Sequence, residues 1–190
     1  MVLLSGGGRV RTMRTTCLLY LNDYMARKVF YSFHYKPDNW RVSQVRNIGS
    51  IDKSAVATDH DWEQIEQGGD PAIQKWIDGQ LYGRSCTVVL IGAATAGRKW
   101  IEYEIKKSWD DGKGLVGVYI HNLKDRNGQQ SMKGANPFSR FTLKQGTVQL
   151  DSVVSVYDPP YYASTDVYAY ISENLEVWID QAVAKRKAYV

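Results

Sequence analysis

Apolar positions along the chain switch between a continuous, strand-like spacing and a helical one. The run "KVFYSFH" (28–34) is β-branched and aromatic and predicts a first strand. "PDNWRVSQVRNIG" (37–49) predicts a helix, with Asp38 or Asn39 as its N-cap and Gly49 as its stop. "SAVATD" (54–59) predicts a short second strand. In "GGDPAIQKWIDGQLYGRS" (68–85), Ile73, Trp76, Ile77 and Leu81 form one helical stripe, behind Asp70 as cap and Pro71 at the first helical position. "CTVVLIG" (86–92) is uninterrupted and apolar, as a strand covered on both faces should be. A helix follows over 97–110, then another buried strand, "GLVGVYI" (114–120). A polar connection over about 121–149 leads to a fifth strand, "SVVSVYD" (152–158). The closing helix, 164–187, turns Val167, Ile171, Leu175, Trp178, Ile179 and Val183 inward.

Strands alternating with helices specify an α/β fold, a parallel sheet with helices on both faces. Five strands in this pattern predict a flavodoxin-like sheet, all parallel, in the order 2-1-3-4-5. Ligands on such sheets bind at the carboxyl ends of the strands where the order reverses, here between the first and third. The end of "VFYSFHY", the end of "VVLIG" with its loop "AATAG", and the start of the 97–110 helix converge there.

That helix carries a misfit. With Trp100 at the origin and about 100° per residue, Ile101, Ile105 and Ser108 share an apolar arc with it, while Glu102 and Lys106 face solvent. Glu104 lies about 40° from Trp100, inside the arc. A carboxylate aimed at a core costs free energy unless a donor or ligand answers it. It could instead extend to solvent or answer the helix dipole.

Composition narrows the classes. The 190 residues form one domain's worth of chain, with a net charge of +4. Half of that charge comes from Arg9, Arg11 and Arg14 against Asp23 in the first 24 residues, so the remainder is too weakly basic to suggest nucleic acid. No stretch approaches the roughly 20 apolar residues of a membrane span. Cys17 and Cys86 have no metal spacing, and a reduced Cys86 inside an apolar run fits a cytoplasmic setting. Asp59, Asp61 and Glu63 lack the partners of a metal site, His60 and His121 have no ligand spacing, and "SGGG" is not a phosphate loop. Met25 begins "MARKVFYSFHY" and runs directly into the first strand. Residues 1–24 are therefore expected to be an extension or an upstream start, and 25–190 the domain, which should fold as well without them.

Three stretches together resemble the TIR domains, and within them the ThsB-type TIR-like group of the bacterial Thoeris antiphage system. "RKVFYSFHY" is similar to the family's first-strand box. "GRSCTVVLIGAATAGRKWIEYEI" is similar to its third strand, loop and glutamate helix, with the W-x-x-x-E spacing as Trp100 to Glu104. "KGANPF" (133–138) is similar to a segment of the Thoeris group. Where TIR boxes often carry aspartate, and then tyrosine-arginine, this chain has Lys28, Phe33 and His34.

The resemblance implies an NAD-consuming enzyme, an NAD glycohydrolase or ADP-ribosyl cyclase, with Glu104 as the essential carboxylate. NAD is then substrate, and no separate cofactor or metal is expected. The product would be an ADP-ribose derivative, cyclised, that activates a partner effector after phage infection. TIR enzymes are often inactive until assembled, so a homo-oligomer or filament belongs among the expected partners. Trp100, Ser32, Phe33, His34, Tyr35 and Arg41 are the candidate substrate contacts. Trp100 would wall the nicotinamide or ribose, His34 would bond a phosphate or ribose, and Arg41 would meet the pyrophosphate. Each has a plainer use as core or solvated surface. The rival function is a non-catalytic TIR adaptor or assembly module, because the fold alone specifies no activity. A receiver-like regulator would need aspartates at the ends of the first and third strands, and those ends carry none.

Overall fold

The computed structural model describes residues 27–48 and 67–189, and elements are numbered among those residues. They run β1 (Val29–Ser32), α1 (Tyr35–Arg46), α2 (Gly69–Leu81), β2 (Cys86–Ile91), α3 (Lys99–Asp110), β3 (Gly114–Tyr119), β4 (Thr142–Leu143), β5 (Val148–Gln149), β6 (Ser155–Tyr157) and α4 (Ser164–Ala188). The main sheet has the order β1-β2-β3-β6, and each neighbouring pair is parallel. This is the expected order without its second strand. The expected 54–59 strand and the 1–24 extension lie outside the described residues. Cys86–Ile91 pairs on both sides, Val29 with Cys86 and Cys86 with Gly114.

Strand alternation divides the core into two layers. Val29, Tyr31, Val88, Leu90, Val116 and Val118 face α1 and α4, whose Val42, Val45, Ile171, Leu175 and Ile179 cover them. On the opposite face, Val89, Ile91 and Leu115 meet Ile101 and Ile105 of α3, while Phe30 meets Ile73, Ile77 and Leu81 of α2. Every residue of β1, β2 and β3 is buried, which explains why their sequences read as unbroken apolar runs.

Several boundaries differ from the sequence reading, with physical reasons. Helix α1 begins at Tyr35, with His34 rather than Asp38 or Asn39 at the N-cap, and α2 begins at Gly69 behind Gly68. Pro37 and Pro71 then fall third in their helices. The first four helical N–H groups have no intrahelical acceptor, so proline fits there as well as at the first position. Asp38 is thereby released from capping and buried. The fifth strand shrinks to Ser155–Tyr157, because Leu150 and Val154 turn into the second core layer through a 3-10 turn over Leu150–Ser152. The polar connection folds a small antiparallel hairpin, β4 with β5, around Lys144, Gln145 and Gly146 at positive φ.

Two glycines test the packing in opposite directions. A Cβ on Gly114 would lie 2.8 Å from the Val183 backbone nitrogen, where α4 crosses the sheet. Gly79, within α2, has open space around its Cβ position. Gly114→Ala should therefore lose about 1–3 kcal/mol of stability by overpacking. Gly79→Ala should gain up to about 1 kcal/mol from helix propensity. Urea unfolding of the two variants should give midpoint shifts of opposite sign.

Candidate active site

The chain leaves β1 for α1 on one face of the sheet and leaves β2 for α3 on the other. These diverging connections open a crevice beyond the carboxyl ends of two neighbouring parallel strands, the place where such sheets bind ligands. Thr95 ties the loop between β2 and α3, its hydroxyl accepting from the Gly92 N–H at 2.9 Å.

Helix α3 buries Ile101, Glu104, Ile105 and Ser108, the arc drawn from the sequence. Two hydroxyl contacts one turn apart join it to the sheet. Ser108 and Thr87 of β2 share a hydrogen bond of 2.7 Å, and the Ser32 hydroxyl donates to Glu104 Oε2 at 2.5 Å. Glu104 is only 8% exposed, and among the described residues no charged group contributes to its protonation balance. Burial pushes the carboxyl up from its ordinary 4.5 to about 8, and the Ser32 hydroxyl offsets part of that rise. A carboxyl so placed is a neutral acid in most molecules at pH 7, ready to ionise when a cation approaches.

The other candidate residues separate. Trp100, one turn before Glu104, is half-buried against the Phe30, Ile73 and Ile77 cluster, edge-on to Tyr103 and beneath the Lys99 ammonium. His34 is half-buried at the N-cap of α1, with no partner for Nδ1 among the described residues. Burial first, and the Arg98 charge second, hold its pKa below the usual imidazole range. Arg98 is the N-cap of α3, so His34 and the start of α3 share one rim. Phe33 packs toward the opposite layer and against the Tyr35 ring, away from Glu104.

Arg41 is neither solvated nor free for a pyrophosphate. Its Nε donates to Leu123 O at 2.8 Å, Nη2 to Gln129 O at 2.8 Å, and Nη1 to Pro37 O at 3.0 Å and Asp38 Oδ1 at 3.2 Å. It clamps the 121–130 connection to α1.

The sequence reading missed the floor of the crevice. The Asp38 carboxylate presses on Gly92, where a Cβ would lie 2.2 Å from Oδ2, and a Cβ on Gly134 would lie 2.1 Å from Gly92 O. Three segments thus meet with no room for a side chain at either glycine. The only signal available was glycine itself, in "VVLIG" and "KGANPF". Beside them, at the end of β3, Lys133 pairs with Asp158 at 2.7 Å and lies over the Tyr119 ring, which contacts His121 edge-on. Among the described residues, no group of three or more potential metal ligands occurs, and no helix is long and apolar enough to cross a membrane.

Residues 30–125 match the family model described as Thoeris protein ThsB, TIR-like domain. The chain is also 40% identical, over 119 residues, to a Bacillus cereus (strain MSX-D12) protein named "Putative cyclic ADP-D-ribose synthase ThsB1". That alignment covers 60% of this chain and 62% of the relative, so the chain spans less than two thirds of the relative's length.

The Arg41 clamp gives a stability test. Arg41→Ala would leave Asp38, 1% exposed, as a buried carboxylate without its cation, and would take the guanidinium donor from the Leu123 and Gln129 carbonyls. The expected loss is about 3–5 kcal/mol, measured by chemical denaturation. A change under about 1 kcal/mol, the range of exposed pairs, would mean that water replaces the guanidinium.

Proposed function

The chain belongs to the ThsB TIR-like domain family of the Thoeris system, and from that membership and the Glu104 site we propose that it cleaves NAD at the nicotinamide–ribose bond. The observation that carries the reading is the position of Glu104: an apolar seat, one hydroxyl donor, and a place beside the crevice between β1 and β2. The proposed product is a cyclic ADP-ribose derivative, in keeping with the name of the Bacillus cereus relative. In this reading it acts in the cytoplasm as a signal that activates a partner effector in antiphage defence.

The chemistry suits the residue. As the C–N bond breaks, its electron pair leaves with nicotinamide and neutralises the pyridinium ring, so departure needs no strong acid and no metal. The ribose is left as an oxocarbenium-like cation. A fixed carboxylate in a low-dielectric seat stabilises that charge far better than water would and can accept from the ribose hydroxyls. Trp100 and His34, on the same rim, are the proposed walls for ribose and nicotinamide. Cyclisation follows when a nucleophilic nitrogen or oxygen of the same molecule takes the anomeric carbon and loses its proton. A crevice that excludes water favours that capture over hydrolysis.

Glu104→Gln should reduce NAD cleavage at least about a hundredfold, the scale for losing a main electrostatic group. Glu102→Gln, which loses only an outer pair with Arg140, should leave the rate unchanged. Products would be separated by chromatography, with purified protein alone and with extract of phage-infected cells. If Glu104→Gln turns over NAD as fast as the wild type, Glu104 is not the catalytic group; if neither protein does so even with the extract, the adaptor reading replaces this one.

The raised carboxyl also fixes two pH responses. The folded chain holds the Glu104 proton more tightly than the unfolded chain. Its contribution to stability is therefore fully present below about 4.5 and is lost as pH rises toward about 8. Glu104→Gln should lack this decline in thermal melts across the window. In kinetics, kcat/KM should rise with pH through the free enzyme's Glu104 ionisation. The rise in kcat should come at lower pH, because bound pyridinium favours the carboxylate.

A further inference from the structure

Glu104 has two carboxyl oxygens, and the described residues supply a donor to only one of them. Ser32 closes β1, is 1% exposed, and donates to Oε2 at 2.5 Å. It is less accessible than the carboxylate it serves, so a ligand entering the crevice meets Glu104 first. We infer that Ser32 is a positioning residue: its hydroxyl fixes the rotation of the Glu104 carboxylate and leaves Oε1 for the substrate. This rests on the reading of Glu104 as the group that meets the ribosyl cation.

Two features support that role over simple packing. First, α3 does not need Ser32 to stay seated, because Ser108–Thr87 and the apolar contacts of Ile101 and Ile105 already hold it. Second, among the described residues Ser32 is the one that hydrogen-bonds the Glu104 carboxyl. The ionisable groups on the elements packed around it are engaged elsewhere: Asp70 with Lys99, Asp78 with the Tyr103 hydroxyl, Lys107 with Asp111, and Glu102 with Arg140. None of them contributes to the Glu104 balance. A hydroxyl that donates to a carboxylate favours its ionised form, so Ser32 also determines how readily Glu104 becomes the charged species.

The test follows the Glu104 carboxyl by carbon-13 NMR, its resonance assigned by its loss in Glu104→Gln, together with NAD kinetics across pH in the infected-cell extract. Ser32→Ala should move the Glu104 titration upward by about one pH unit, the scale of a hydrogen bond to a charged group. It should also lower kcat about tenfold or more at pH 7 with little change in KM, because positioning acts in the transition state. Ser32→Thr keeps the hydroxyl and should restore both. Thr87→Val removes the neighbouring hydroxyl pair and should move stability alone. Should Ser32→Ala fail to fold, Ser32→Cys, a weak donor of similar size, should show the same two changes to a smaller degree. Coincident titrations of Glu104 in the wild type and the Ser32 variants overturn the inference. So does a normal kcat in Ser32→Ala where Glu104→Gln is inactive. Full activity in Glu104→Gln overturns instead the reading beneath it, whatever Ser32 does.

Discussion

Seating one carboxyl group in an apolar helix face constrains much of this molecule. Glu104 lies between Trp100 and Ser108 along a single line of α3, and that line must lie against the sheet. A buried carboxyl without a donor costs free energy. The fold answers with the Ser32 hydroxyl on β1, while Thr87 on β2 bonds Ser108 one turn further along the helix. Both belong to strands that are otherwise almost wholly apolar. The helix is thus held by large apolar contacts and joined to the sheet by two small polar ones. The neutral acid that burial produces is itself part of the arrangement, since an ionised group there would cost far more.

The opposite wall of the crevice is built by exclusion of volume. Asp38, Gly92 and Gly134 stack so closely that α1, the end of β2 and the segment after β3 approach as backbone. Arg41 holds the same region from the other side through backbone carbonyls of the 121–130 connection. A buried ion pair of this kind adds little net stability over an apolar packing, but it is directional. It fixes where the connection over the carboxyl ends can lie, and so the shape of the space above Glu104.

Those two walls suit the proposed chemistry. A cleaved ribosyl cation reacts with whatever nucleophile is nearest, and a site that excludes water makes that nucleophile part of the same molecule rather than solvent. The half-buried His34 and Trp100 and the exposed Lys133 lie outside the dry seat, where polar parts of a dinucleotide would remain wet.

How much of this was legible in the sequence depends on the range of the interactions. Periodicity is a local property, so the parallel α/β arrangement, the inner position of "CTVVLIG" and the burial of Glu104 could all be read from spacing. Glu104 stood out because it broke that spacing. The helix caps lie two residues earlier than expected in α2 and four or five earlier in α1, since proline is tolerated anywhere in the first turn and Asp38 looked like a cap. Partners separated by tens of residues were beyond any local signal. Ser32 meets Glu104 across 72 positions and Arg41 meets Leu123 across 82. The sequence determined which residues face inward, because side-chain direction repeats with the backbone period. Only the tertiary structure decided that Ser32 serves Glu104, that Arg41 is a clamp, and that two glycines bring three segments together, because chain packing alone chooses distant neighbours.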